Sequence, residues 1–208
     1  ASKQGIVETI HSPSSLDIAN EDLAKPESIS FPTANNTRVQ AFFYPPTHSQ
    51  YQGDEKQLPP VIAICHGGPT GATDCSLNLK IQYWTSRGFA VVDINYRGST
   101  GFGRDYRNRL HGTWGVADIE DTEYAIKFLA AEQKIDSQRC IIRGSSAGGY
   151  TVLSALTFTD TFKAGASLYG IGNLETLVSD THKFESRYLD QLVGPWPEAK
   201  QRYHDRSP

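Results

Sequence analysis

Methionine is missing from the whole 208-residue sequence, including the first position, so we expect the chain to begin inside a longer polypeptide. The amino-terminal residues also lack the basic and apolar regions of a secretory signal peptide. No stretch approaches the roughly 18 consecutive apolar residues that cross a bilayer, so no membrane association is predicted.

Cysteine is scarce, with only three residues that cannot all pair with one another. Cys65 and Cys140 lie in apolar, strand-like runs and are predicted to be core residues, whereas Cys75 lies in a polar turn. No pair has the spacing of a zinc site, so no metal is predicted. This cysteine usage favours a reducing compartment, and we expect the protein to be cytoplasmic.

An excess of basic charge is also missing. The chain has 20 Lys and Arg against 23 Asp and Glu, a net charge of −3, and the basic residues are scattered. A nucleic-acid partner is therefore not expected. With 38% hydrophobic and 21% charged residues, the composition is typical of a globular protein.

The amino-terminal part of the chain differs from the rest. Residues 1–26 are polar and aperiodic, and we interpret them as a linker or arm from an upstream domain. Residues 28–31 and 38–44 are rich in β-branched and aromatic residues and flank the turn residues "PTANN", which predicts a hairpin. Residues 45–60, bounded by proline pairs, are expected to form a loop.

Beyond this loop, apolar runs alternate with helix-length stretches, which predicts a doubly wound, mostly parallel α/β sheet. The predicted strands are 61–65, 89–94, 139–144 and 164–170. The predicted helices are 76–88, 114–133 and 146–158.

A candidate nucleophile lies where one strand meets the next helix. The segment "GSSAG", residues 144–148, matches G-x-S-x-G in the strand–turn–helix context that this motif needs. The sharp turn requires small neighbours, and it raises the Ser146 hydroxyl above the sheet at the positive end of a helix. The alternative is a glycine-rich turn with a serine helix cap.

A second motif supplies candidate oxyanion donors. Acyl transfer needs backbone N–H groups directed at the developing oxyanion, and "HGGPTG" (66–71) directly follows a predicted strand. In α/β-hydrolases one donor follows the nucleophile, here Ala147, and another comes from an early loop of this type. Gly68 is our candidate for that donor, with Gly67 next; the alternative is an ordinary Gly-Pro turn.

Together these segments resemble the prolyl oligopeptidase family of serine peptidases, and most closely its acylaminoacyl-peptidase and dipeptidyl-peptidase-like branch. The matching segments are "HGGPTG", "DINYRGSTGFGRDYR" (93–107), "WGVADIEDTEYA" (114–125), "GSSAGGYT" (144–151) and "HKFESRYL" (182–189).

The resemblance implies a β-propeller followed by an α/β-hydrolase domain. Residues 1–26 would then be the exit from an absent propeller, and residues 27–208 the amino-terminal portion of the catalytic domain, incomplete at its carboxyl-terminal end. It implies Ser146 as nucleophile and Ala147 N–H as an oxyanion donor, with no metal or organic cofactor.

The resemblance also implies roles around the nucleophile. Phe184 and Tyr188 match aromatic positions that line the pocket for the residue before the scissile bond; the alternative is that both are core aromatics. His66 occupies a position from which some relatives hold the oxyanion with a side chain, but we favour the Gly68 amide, with His66 ordering the loop. Arg97 is expected to organise the neighbouring loop through hydrogen bonds.

A complete Ser–His–acid triad is not visible in the sequence. In this fold the acid and the base follow the nucleophile on later strands, and only one further strand is predicted after Ser146. The histidines of this region are His182 and His204, and the nearby acids are Asp180, Asp190 and Asp205, all in helical or turn segments. We expect none of them to be catalytic, so the chain alone is predicted to be inactive.

The predicted parent enzyme is a serine peptidase that cleaves short peptides through an acyl-enzyme on Ser146. Its expected partners are a peptide substrate and the missing propeller and carboxyl-terminal part of the same polypeptide. Two alternatives stay open: a carboxylesterase of the same fold, and a non-catalytic pseudo-hydrolase that acts as a binding module.

Overall fold

A computed structural model describes residues 10–11, 17–180 and 187–208. Six strands form one sheet in the order β1-β2-β4-β3-β5-β6. The strands are β1 Glu27–Pro32, β2 Arg38–Tyr44, β3 Val61–Cys65, β4 Ala90–Asn95, β5 Cys140–Ser145 and β6 Ala164–Leu168. β1, β2 and β4 are antiparallel neighbours, whereas β4, β3, β5 and β6 are parallel to one another. The predicted α/β class with a mostly parallel sheet is confirmed.

Helices follow the parallel strands, as the alternation in the sequence predicted. They are α1 Leu79–Thr85, α2 Arg104–Asn108, α3 Ala117–Ala131, α4 Ala147–Phe158, α5 Leu174–Asp180, α6 Tyr188–Leu192 and α7 Lys200–Asp205. The predicted helix 114–133 begins later than expected, at Ala117. Gly115 has a φ of 82°, and its N–H donates to the Asp118 carboxylate, so the chain is still turning there.

The central strands are apolar on both faces because helices cover both sides of the sheet. Residues of β3 and β4 alternate between two clusters. On one face, Ile62 and Val91 pack with Ile81 of α1. On the other, Ala63 and Val92 join the larger core, to which α3 and α4 contribute. This two-sided burial explains why the sequence shows continuous apolar runs here rather than strict alternation.

The predicted hairpin is also confirmed, since β1 and β2 pair over their full length. The arm before it is attached to the domain at its carboxyl-terminal end. Ala24 is buried, its N–H donates to Gln82 Oε1 at 2.8 Å, and Gln82 Nε2 donates to the Ala24 carbonyl at 3.1 Å. The end of the arm is therefore bonded to α1.

The cysteines lie as predicted, with Cys65 and Cys140 buried and Cys75 exposed. Within the described ranges, no helix combines the length and the hydropathy that a membrane crossing requires.

Candidate active site

Ser146 occupies the turn between β5 and α4 in a conformation that few non-glycine residues adopt. Its φ is 55° and its ψ is −120°, outside the regions that L-residues ordinarily populate. The Ser146 N–H donates to the Leu168 carbonyl of β6 at 3.0 Å, and the Ser146 carbonyl accepts from Tyr150 N–H at 3.0 Å. The residue is exposed and its hydroxyl does not cap α4. Ser146 is thus the N-cap residue of α4 by position, but its hydroxyl makes no capping hydrogen bond.

Two glycines allow this turn to sit directly on the sheet. A Cβ on Gly144 would lie 2.3 Å from the Gly148 carbonyl oxygen, and one on Gly148 would lie 2.1 Å from the Cys65 carbonyl oxygen. Both distances are far below van der Waals contact, so any side chain would displace backbone. The glycines of the motif thus bring the start of α4 against the end of β3.

The segment His66–Gly71, which we call the oxyanion loop, passes beside the nucleophile. A Cβ on Gly67 would lie 3.6 Å from the Cβ of Ser146, and Gly68 is exposed with a φ of 130°. In the described ranges, neither the Gly68 N–H nor the Ala147 N–H donates to another protein group. Both predicted donors are therefore available to a ligand.

Contacts with the chain after β4 hold the oxyanion loop from one side. The Tyr96 hydroxyl donates to the carbonyls of His66 at 3.0 Å and Pro69 at 3.3 Å, and its ring stacks on His66 with centroids 4.3 Å apart. The Thr100 N–H donates to the Gly71 carbonyl at 2.7 Å. Backbone carbonyls of the loop are thus bonded along its length.

Neither ring nitrogen of His66 is free for the oxyanion. Nδ1 lies 2.8 Å from the Gly67 carbonyl and Nε2 lies 2.7 Å from the Ser99 hydroxyl. Burial lowers the pKa of His66, so the neutral ring is favoured. This geometry favours His66 as a residue that orders the loop.

Arg97 connects this region to α3 through charged hydrogen bonds, in line with its expected structural role. Its N–H and Nε donate to the two carboxylate oxygens of Asp121 at 2.7 and 2.8 Å, and its guanidinium also pairs with Glu120. Burial raises the pKa of Asp121 to about 6, although the Arg97 charge acts in the opposite direction. Arg97 therefore fixes the Tyr96–Thr100 segment, which in turn supports the oxyanion loop.

Tyr188, predicted to line the substrate pocket, contacts the oxyanion loop. Its hydroxyl accepts from the Thr70 N–H at 3.2 Å and lies 2.5 Å from the Thr70 hydroxyl. The other predicted pocket aromatic, Phe184, lies outside the described residues, as does His182.

The remaining candidates for acid and base have other partners. His204 Nδ1 lies 3.9 Å from Glu175, Asp205 accepts from Gln201 at 2.7 Å, and Asp190 pairs with a neighbouring arginine. No hydrogen bond within the described ranges involves the Ser146 hydroxyl. A general base for Ser146 is thus not found among these residues.

A buried network under α4 was not predicted from the sequence. Asp118 is fully buried and accepts from the Gly115 N–H at 2.7 Å and from the Thr151 hydroxyl of α4 at 2.6 Å. Burial raises its pKa. Nearby, the Tyr150 hydroxyl donates to the Arg206 carbonyl at 2.8 Å. An acid in the first turn of a helix ordinarily faces solvent, so no local signal distinguishes Asp118.

A groove of about 1090 Å³ lies away from Ser146. It is lined by residues that precede β3, β4 and β5, among them Pro60, Gly88 and Arg139. These mark the amino ends of the parallel strands. Because open α/β sheets place their chemistry at the carboxyl ends, this groove is separate from the candidate site.

The prolyl oligopeptidase family model matches residues 75–208 of the chain. This span covers most of the described domain, including the Ser146 turn. The chain therefore belongs to the prolyl oligopeptidase family, as the sequence resemblance indicated.

Individual relatives agree with this assignment. A puromycin-hydrolyzing peptidase of Mycobacterium tuberculosis is 42% identical with a TM-score of 0.96, covering 99% of this chain and 32% of that one. Dipeptidyl aminopeptidase BIII of Pseudoxanthomonas mexicana is 30% identical over 79% of this chain and 24% of its own length. An acylamino-acid-releasing enzyme of Arabidopsis thaliana is 30% identical over 82% of this chain and 23% of its own. The chain thus spans a quarter to a third of these relatives.

Proposed function

We propose that this chain carries the nucleophile and the oxyanion hole of a serine peptidase that cleaves short peptides. The observation that carries the proposal is the exposed Ser146 at positive φ, directly followed by the Ala147 N–H, which bonds no protein group. A positive φ at a non-glycine residue costs conformational energy and is typical of functional sites. Membership of a peptidase family supports the same chemistry.

In the proposed reaction, Ser146 Oγ attacks the carbonyl carbon of the scissile bond while its proton passes to a general base. The carbonyl oxygen becomes an oxyanion that accepts from the N–H groups of Ala147 and Gly68. Breakdown of this intermediate expels the amine with a proton from the base and leaves an ester on Ser146, which water then hydrolyses.

The acid and base of this reaction are proposed to lie on other parts of the whole protein, which the length of the relatives supports. The chain on its own would then be inactive, because the serine hydroxyl stays protonated without a base. We likewise propose residues 27–208 as the amino-terminal portion of the catalytic domain and residues 1–26 as the link from an upstream propeller. The three free thiols support the proposed cytoplasmic location.

The proposed substrates are short peptides with an apolar residue before the scissile bond, for which Phe184 and Tyr188 would form the pocket. The relatives include a dipeptidyl aminopeptidase, an acylamino-acid-releasing enzyme and a puromycin-hydrolyzing peptidase, which supports peptide and amide bonds as the substrate class.

The test is turnover by the protein expressed from its full reading frame, with peptide anilides, puromycin and short acyl esters offered separately. We expect amide hydrolysis, and a loss of at least about a thousandfold in kcat for Ser146→Ala. Ser145→Ala is the matched control and should retain activity, because Ser145 is the variable position of the motif. Ester hydrolysis without amide hydrolysis would indicate a carboxylesterase, and no turnover at all a binding module.

A further inference from the structure

The oxyanion loop is held from two sides of the candidate site. Tyr96 and Thr100, which precede Ser146 in the chain, bond the carbonyls of the loop. On the other side, the Tyr188 hydroxyl bonds both the N–H and the hydroxyl of Thr70. Within residues 10–11, 17–180 and 187–208, the two Tyr188–Thr70 bonds are the only hydrogen bonds between the oxyanion loop and the chain that follows Ser146.

The contact between Tyr188 and Thr70 affects the position of the Gly68 N–H. Only Pro69 separates Gly68 from Thr70, and the Gly71 N–H donates to the Pro69 carbonyl at 3.0 Å, which closes a tight turn. A shift of the Thr70 backbone would therefore move Gly68 as well. Because oxyanion donors act only when they are already in position, a small displacement reduces transition-state stabilisation.

We propose that Tyr188 is a positioning residue whose hydroxyl, acting through Thr70, holds the Gly68 N–H at the oxyanion site. This inference rests on the proposed peptidase function and goes beyond the pocket-lining role that the family resemblance implies for Tyr188. Tyr188 is the first residue of α6, so its side chain connects α6 to the oxyanion loop.

The primary test is Tyr188→Phe in the full-length protein, which removes the hydroxyl and keeps the ring. We expect kcat to fall roughly tenfold, the value of one good hydrogen bond, with KM changed less than about twofold. Binding of a peptide boronic acid, which forms a tetrahedral adduct, should weaken by the same factor as kcat. Binding of the product peptide, which forms no oxyanion, should be unchanged. Tyr51→Phe, the same change at an exposed tyrosine of the 45–60 loop, is the matched control and should behave as wild type.

Thr70 provides a second variant pair that does not alter Tyr188. Thr70→Val removes the hydroxyl that contacts Tyr188 and should lower kcat, whereas Thr70→Ser keeps a hydroxyl and should restore it. In the double variant Tyr188→Phe/Thr70→Val, the loss should be close to that of Tyr188→Phe alone, because both changes break the same contact. Active-site titration and thermal unfolding measure the folded fraction of each variant.

Several results would overturn the inference. An unchanged kcat per titrated site in Tyr188→Phe would show that the Tyr188 hydroxyl does not position the oxyanion donor. A higher KM at constant kcat would show that Tyr188 acts in substrate binding only. Additive losses of kcat in the double variant would show that Tyr188 does not act through Thr70. Failure of the proposed function is distinguishable, since it appears as a wild-type protein without amide turnover or as turnover that survives Ser146→Ala. If Ser146→Ala is inactive and Tyr188→Phe is normal, only the positioning role fails.

Discussion

The two strands that flank β5 lie in opposite environments. β3 is buried between β4 and β5, and the oxyanion loop continues from its end; we call β3, β4 and this loop the closed side. β6, the open side, pairs only with β5 in the described part of the chain, and its first three residues are exposed. Ser146 stands between the two, over the closed side and bonded to Leu168 of the open side.

This difference separates two parts of the proposed catalytic apparatus. The proposed donors and nucleophile are held by close backbone contacts on the closed side, where glycines meet carbonyl oxygens. In the described chain after β6, the histidine and the acids pair with their own neighbours rather than with Ser146. The described domain thus brings the proposed nucleophile and the proposed oxyanion donors together, without a described group to accept the serine proton.

Gly148→Ala should give a large loss of stability, because it adds a methyl group at the closest backbone contact of the closed side. Its Cβ would lie 2.1 Å from the Cys65 carbonyl oxygen and 2.8 Å from that of His66, both rigid backbone. We expect the free energy of unfolding in urea to fall by about 3 kcal/mol, in spite of the better helix propensity of alanine. The control is Gly172→Ala, just beyond the open side, where an added Cβ would have no atom within 4 Å. It should change the free energy of unfolding by less than about 0.5 kcal/mol. Equal stabilities would contradict the close packing of the turn on β3.

Asp93 should make the closed side sensitive to pH. Its Oδ2 accepts from the Thr73 hydroxyl at 2.5 Å, its Oδ1 has no partner among the described residues, and burial raises its pKa to about 6. The folded state therefore keeps this proton to higher pH than the unfolded state, whose carboxyl has a pKa near 3.8. Stability from this group is full below pH 4 and is lost as the pH rises through 6.

The measurement is the free energy of unfolding of wild type and Asp93→Asn at pH 4 and pH 7. The variant should gain about 2 kcal/mol relative to wild type between these values, because the amide cannot ionise. Asp160→Asn, an exposed carboxylate shortly before β6, is the matched control on the open side and should follow the wild-type curve. A wild-type profile parallel to that of Asp93→Asn would show that Asp93 does not titrate in this range.

The open side should tolerate charge with the smallest effect on stability. Ala166→Glu places a carboxylate on the exposed strand beside Arg143 of β5, and we expect a change below about 0.5 kcal/mol. Its visible effect should be less self-association of the isolated chain in size-exclusion chromatography, because charges on an edge strand oppose pairing between molecules. Ala63→Glu, in the fully buried β3, should instead prevent folding. If the isolated wild-type chain elutes as a stable monomer, the predicted self-association is contradicted.

Much of this architecture was predictable because its signals are local. Apolar runs of strand length and the alternation with helices predicted the sheet, and the spacing of Gly144, Ser146 and Gly148 predicted the turn. The helix start near Gly115 was predicted too early, since the bond from its N–H to Asp118 has no signature in the sequence. Asp118 itself escaped prediction because its partner on α4, Thr151, lies 33 residues away.

The sequence by itself determined the class of fold and the conformation of the nucleophile turn, because glycine placement and hydrophobic patterning act over a few residues. Only the tertiary structure decided which distant groups meet there. In it, the Tyr188 hydroxyl contacts Thr70, 118 residues earlier in the chain. Both ring nitrogens of His66 have hydrogen-bond partners, one of them the Ser99 hydroxyl. The physical reason is that a hydrogen bond between distant segments depends on how the whole sheet and its helices pack, which no short stretch of sequence encodes.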